Sequence, residues 1–256
     1  MTTGKGLNGF HMANASAGQP ASTSSGKRTG RWVLAIDTSA DRAGIALFDG
    51  EALHECAWPA ERRQTTEVPL RIAELLDRAG LAPSDLGGVA VAIGPGTFTG
   101  LRVGLSFAKG LAMAEALPIV GVPTLQATAL PWTRAGRSVI AVLPAGRGRL
   151  VWQRFGDAAG AEPVNGTPAE LLDAVGETPV DAIVGELPAA LGQALASSPV
   201  PVLAEPGLGS RIGGVARLGG EALASGRADD LATLEPIYVH GVSKAARPVR
   251  DKGPKP

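Results

Sequence analysis

The chain is poor in the residues that build metal and redox sites. It has one cysteine, Cys56, and its three histidines are His11, His54 and His240. One thiol excludes an internal disulfide framework and fits a reducing compartment. Cys56 is followed by Ala57 and Trp58 in a strand-like run, with no His nearby except His54 on the same run, and it reads as a small buried thiol. The histidines lack ligand spacing, and no Cys/His/Asp cluster suggests a metal site. A G-x-S-x-G nucleophile elbow is also missing. Excess charge of one sign is absent: Lys+Arg and Asp+Glu are both 24, so overall charge gives no argument for nucleic acid. No apolar run approaches the ~20 residues of a membrane span. The start of the chain has no apolar signal-peptide core.

What remains is ordinary globular material. Hydrophobic residues make up 45% and charged residues 19% of 256 residues, enough for one large domain or two small ones. Residues 1–30, rich in Gly, Ser, Ala and Thr, read as a disordered extension, and residues 241–256 as a disordered basic tail. Between them a pattern occurs twice. Val33–Ile36 and Gly44–Phe48 form a hairpin, with Asp49-Gly50 as the turn to a third strand. A helix over Thr66–Ala79 carries Val68, Ile72, Leu75 and Leu76 at helical spacing, and Gly80 stops it. A strand over Gly88–Ile93 follows, then a helix over Thr99–Ala116. After Pro131 come a hairpin (Val139–Leu143 with Leu150–Phe155), a helix capped by Thr167, a strand in "VDAIVGE" and a helix in "LPAALGQAL". These repeats predict two α/β lobes of related topology, residues 31–131 and 132–240, the second eroded. The helix "RIGGVARLGGEALASG" and the segment "ATLEPIYV" complete the chain, the latter packing back on a lobe.

Two turns invite chemistry. In "IDTSADRAG", Asp37 ends a central strand and Thr38 and Ser39 follow. That arrangement suits a hydrated cation and a phosphate, but Gly44 comes too late for the backbone to approach one closely. The competing reading is a turn in which Asp37 and the hydroxyls satisfy backbone groups. In "GPGTFTG", Thr97 or Thr99 is placed to cap the helix, whose free N–H groups attract anions. The spacing matches neither G-x-x-x-x-G-K-[ST] nor G-x-G-x-x-G, and Lys109 lies too far along the helix to reach back. On the helix itself, Gly100, Gly104, Ala108, Ala112 and Ala116 recur every four residues. This small-residue stripe admits another backbone closely, and apolar residues around it exceed one core-facing face. Part of the helix is therefore expected to meet a partner. In the second hairpin, "VLPAGRGR" puts Pro144 and Ala145 where a mirrored carboxylate would sit. A catalytic pair is hard to assemble from these residues.

The segments "VLAIDTSADRAGIAL", "AIGPGTFTGLRVGLSFAKGLA", "LPIVGVPTLQA" and "EPIYV" closely resemble the bacterial TsaB (YeaZ) family over Val33–Val239. The resemblance implies a fold of the actin/sugar-kinase/Hsp70 superfamily with two RNase-H-like lobes. It implies a non-catalytic scaffold or activator in the cytoplasm, without a cofactor of its own. ATP and metal are then expected on the catalytic partners. Those partners are a TsaD-type catalytic paralogue and a small TsaE-type ATPase. Together they transfer a threonylcarbamoyl group from threonylcarbamoyl-AMP to an adenosine beside the tRNA anticodon, and tRNA is met mainly through the complex. In the catalytic paralogue, the segment like "PIVGVPTLQATAL" carries a His-x-x-x-His metal pair. Thr124 and Thr128 stand there in this chain.

By motif, the implied partner interface comprises Gln64, Thr65, Pro69 and Ile72 of the first helix. From the second it takes Thr97, Phe98, Leu101, Arg102, Leu105, Ala108, Lys109 and Ala112. The same surface is expected to form homodimers when the partner is absent. The chain departs from the family in having Gln64-Thr65 where a His-Ser or His-Thr pair is common. It also lacks the usual Asp-Ala-Arg in the second hairpin, where Arg147 and Arg149 remain. Two other readings stay open. One is an autonomous ATP-dependent enzyme of the same superfamily, kinase-like or peptidase-like, with Asp37 in its site. The other is an RNA-binding module acting through the basic tail.

Overall fold

The computed structural model describes residues 32–60, 64–156, 161–204 and 210–239. The expectations for residues 1–30 and 241–256 lie outside the described residues.

Two five-stranded sheets carry the fold. The first holds β1 (Trp32–Asp37), β2 (Arg42–Phe48), β3 (Leu53–Pro59), β4 (Leu86–Gly94) and β5 (Ile119–Pro123) in the order β3-β2-β1-β4-β5. The second holds β6 (Val139–Gly146), β7 (Arg149–Phe155), β8 (Val164–Gly166), β9 (Ala182–Gly185) and β10 (Val202–Ala204) in the order β8-β7-β6-β9-β10. In each sheet the first three strands are antiparallel and the last two run parallel to the central strand. The orders are the same, so the duplication expected from the sequence is present. The second copy is reduced at its edges, where β8 and β10 have 3 residues each.

Alternation along the central strands sets the layers. In β1, Leu34 and Ile36 face one core with α1 (Gln64–Ala79) and α2 (Phe98–Ala114), whereas Val33 and Ala35 face another with α6 (Arg211–Ala224). In β6, Ile140 and Val142 face α4 (Pro168–Glu177), and Val139, Ala141 and Leu143 face α3 (Thr124–Arg134). The short α5 (Ala189–Ala194) adds Leu191 to the α4 side. Thr167 caps α4 as expected, in a reciprocal box with Glu170.

The middle layer interlocks the halves. Helix α3 follows β5 of the first sheet but packs on β6, β7 and β9, whereas α6 comes after the second sheet and packs on β1, β2, β4 and β5. Beyond α6 the chain runs back as a strap. Asp229 N–H donates to Ile119 O, Ile237 N–H donates to Ile93 O, and the Asn165 amide donates to Val239 O at 3.3 Å. Cys56 is half-buried against the first core rather than fully enclosed, because β3 is an edge strand.

Candidate functional site

Asp37 ends β1 and is 1% exposed. Its Oδ1 accepts from Ser39 N–H at 2.8 Å and Ser39 Oγ at 2.6 Å, so the turn satisfies itself. Its Oδ2 accepts from Arg211 Nε at 2.5 Å. The same guanidinium donates to Glu186 Oε2 at 2.5 Å and to Arg42 O at 2.8 Å. Burial works to lower the Arg211 pKa, but the charges of Asp37 and Glu186 more than offset it and hold Arg211 above its ordinary value. A permanent cation from the chain thus sits where the sequence suggested an exchangeable one. Arg211 and Glu186 were not foreseen. The signal available was an arginine opening a helix rich in glycine and alanine behind the capping Ser210.

The glycine turn is also turned inward. Thr97 stands at the N-cap of α2 without a side-chain capping bond, and its N–H donates to Ser39 O at 2.6 Å. Thr38 Oγ1 donates to Gly100 O at 2.7 Å. A Cβ on Gly100 would lie 1.9 Å from Thr38 O, and one on Gly104 would lie 2.3 Å from Thr38 Oγ1. The small-residue stripe therefore admits the Thr38–Ser39 turn of the same chain. Gly94, at φ 113°, brings the turn up to the strap, where its Cβ would meet Ile237 O.

The opposite side of α2 is open. A groove of about 580 Å³ runs between α1 and α2, lined by Thr65, Val68, Phe98, Arg102, Val103 and Phe107 among others. Phe98 is 55% exposed, and Leu70 on α1 and Met113 near the end of α2 are 64% and 72% exposed. Arg102 lies 3.8 Å above the Phe98 ring and donates to Tyr238 Oη of the strap at 3.2 Å.

The expected interface residues divide. Thr65, Thr97, Phe98 and Arg102 are exposed, and Pro69 and Lys109 are half-buried. Ile72, Leu101, Leu105, Ala108 and Ala112 are corrected: all are buried in this chain. They form the inner face of their helices, and the sheet takes up the apolar width beside the stripe. The Gln64 side chain lies outside the described atoms. Val103, Ser106 and Phe107 line the open groove as well.

Thr124 and Thr128 are structural. Gly94 N–H donates to Thr124 Oγ1 at 3.1 Å, and Thr128 Oγ1 donates to Thr124 O at 2.9 Å, one helical turn back. In the second hairpin, Arg149 is committed to Asn165 through Oδ1 and the backbone O, at 2.8 and 2.7 Å. A cavity of about 450 Å³ lies between Gly96 and Phe98 on one side and Pro144 and Ala145 on the other. Ile237 and Tyr238 of the strap also wall it. Among the described residues no cluster of His, Cys, Asp and Glu is arranged to hold a metal ion.

The matched lobes define the class: this is the actin/sugar-kinase/Hsp70-like fold built of two RNase-H-like halves. A family model described as TsaD, tRNA N6-adenosine threonylcarbamoyltransferase, matches residues 59–179. The tRNA threonylcarbamoyladenosine biosynthesis protein TsaB of Escherichia coli is 31% identical over 125 residues, covering 48% of this chain and 54% of that protein. The tRNA N6-adenosine threonylcarbamoyltransferase of Thermus thermophilus is 35% identical over 159 residues, covering 50% of this chain and 49% of that protein. The alignments thus span about half the length of the curated relatives. The solved structure of YeaZ from Pseudomonas aeruginosa shares the fold, with a TM-score of 0.67 at 23% identity over 81% of this chain and 99% of that one. The chain is thus similar to TsaB proteins in sequence over about half its length and to YeaZ in fold.

Proposed function

We propose that the chain is a non-catalytic accessory subunit in tRNA threonylcarbamoyladenosine biosynthesis, the process named for its Escherichia coli relative. Its α1–α2 face docks a TsaD-type catalytic paralogue in the cytoplasm, and a TsaE-type ATPase joins the assembly. The partners supply ATP, metal and the transfer of the threonylcarbamoyl group, and tRNA is engaged through the complex. Without the paralogue, the same face pairs two copies of this chain.

The observation that carries this reading is the open apolar groove between α1 and α2, with Phe98 standing 55% exposed at its end. An aromatic residue beside an apolar groove is the usual form of a protein-docking anchor. The second support is Asp37, which is already engaged by Arg211 and has no free carboxylate oxygen for catalysis. The test is light-scattering chromatography of the chain alone and mixed with the catalytic paralogue of the same genome. A mixed peak at the mass of a one-to-one complex is expected, and it should be lost in Phe98→Glu. Two unmixed peaks, with nucleotide hydrolysis by this chain that depends on Asp37, would replace the reading with an autonomous enzyme.

A further inference from the structure

Two-lobed proteins commonly work by a hinge that closes the lobes around a ligand. In this chain a protein side chain bridges the two sheets. Asp37 comes from the end of β1 in the first sheet, and Glu186 directly follows β9 in the second. One guanidinium binds both carboxylates at 2.5 Å and the Arg42 carbonyl at 2.8 Å. The side chains of Arg211, Asp37 and Glu186 are 6%, 1% and 14% exposed. Parting the lobes would strand one of these charges without its partner in a dry site, where such losses are severe.

Neither carboxylate sits on a slack segment. Ser39 fixes Asp37 through two hydrogen bonds. Glu186 follows Gly185, whose backbone lies against Val142 of β6 so tightly that a Cβ would come within 2.0 Å of its O. Arg211 opens α6, which is packed along the first sheet. A second tie crosses elsewhere. The strap is bound to β4 through Ile237 and to β8 through the bond from Asn165 to Val239 O. Charge points the same way, because one guanidinium against two carboxylates leaves the bridge net negative and repels an incoming phosphate.

We infer that Arg211 locks the two lobes into one body, occupying from within the place that an exchangeable cation would need between Asp37 and Glu186. The lock does not depend on which partner the α1–α2 face takes, and it holds for the chain alone.

Native-state hydrogen exchange of the full chain tests it. In Arg211→Met, amides of residues 38–42 and 185–186 should exchange about 100-fold faster, with protection at the centres of β1 and β6 retained. Unchanged exchange at those amides, or acceleration confined to the first turn of α6, overturns the inference. Should Arg211→Met not fold, the milder Glu186→Gln decides. Urea unfolding is then followed at Trp58 in the first sheet and Trp152 in the second, each in a single-tryptophan chain. Midpoints that coincide in the parent and separate in Glu186→Gln uphold the lock. Midpoints already separate in the parent, or coincident in both, overturn it. Titration with Mg·ADP is a third reading: binding lost in Asp37→Asn would mean that Arg211 yields its place, and would also overturn it.

Discussion

Arg211 Nε lies 2.5 Å from Asp37 Oδ2, although 174 positions separate the two residues along the chain. The contact joins helix α6 to strand β1. Removing one member of a buried pair leaves the other charged and dry, which costs about 3–5 kcal/mol. Arg211→Met is expected to lose roughly that much stability in urea melts. Asp37→Asn should lose less, because Glu186 still holds the guanidinium. The double variant should be more stable than the sum of the single losses predicts, with a coupling above about 1 kcal/mol. Strict additivity would mean that the pair contributes no interaction of its own. High salt should leave the coupling nearly unchanged, since the pair is buried, whereas the exposed Arg137–Asp181 pair is open to screening.

The glycines of α2 make a second, sharper prediction because they differ in surroundings. A Cβ at Gly100 would collide with Thr38 O, a backbone atom that cannot rotate away. Gly110, on the exposed side, has nothing within 4 Å of its Cβ position. Gly100→Ala should therefore destabilise by about 1–3 kcal/mol or prevent folding. Gly110→Ala should stabilise by about 0.5–1 kcal/mol, because alanine has less backbone entropy to lose in a helix. Thermal melts of the two variants are expected to shift in opposite directions. Shifts in the same direction would mean that the stripe is not packed on the turn.

These residues also show what the sequence made legible. Hairpin β1–β2, helices α1, α2 and α4 and the repeat of the lobes follow from local periodicity and capping, and all are present near their expected ends. Strand β5 and helix α3 were not read as elements, because Pro118, Pro123 and Pro131 break the stretch into pieces too short to show a period. Edge strands β8 and β10, at 3 residues each, are shorter than any alternation can reveal. The stripe on α2 correctly signalled a close backbone approach, but sequence cannot tell a neighbour in the chain from a neighbour in another molecule. Leu105 and Ala108 were placed at an interface by the resemblance, and the stripe gave no ground to move them to the core. Asp37 was legible as a carboxylate at a turn, and Arg211 was not, because only the folded sheet order brings the two together.

The two sides of α2 can be separated by mutation. Leu105 is 6% exposed and packs in the first core, so Leu105→Ala should cost about 2–5 kcal/mol and Leu105→Glu should not fold. Phe98 is 55% exposed at the open groove. Phe98→Glu should leave the melting temperature close to that of the parent and weaken association with the catalytic paralogue by tenfold or more, about 1.4 kcal/mol. Circular dichroism melts and light scattering on the same samples distinguish the effects. Association unaffected by Phe98→Glu would remove the groove from the interface.

The strap carries a pH dependence whose sign follows from its hydrogen bonds. Asp230 Oδ1 accepts from Thr233 N–H at 2.9 Å, from Thr233 Oγ1 at 3.1 Å and from Ala232 N–H at 3.0 Å. The bond from the Thr233 backbone is the largest influence, and together these donors hold the carboxyl below its usual range. The charged form is therefore favoured in the folded chain. Its contribution is fully present above the unfolded value of about 4 and is lost as pH falls through the lower folded value. The group is exposed, so global stability should hardly change, and the effect should be local. Followed by NMR, the Thr233 amide is expected to move with a midpoint below that of an ordinary aspartate. Asp230→Asn, which keeps an acceptor oxygen but cannot ionise, should abolish the transition. A midpoint at the ordinary value, or a transition surviving in Asp230→Asn, would show that the turn before the strap is not held by this carboxylate.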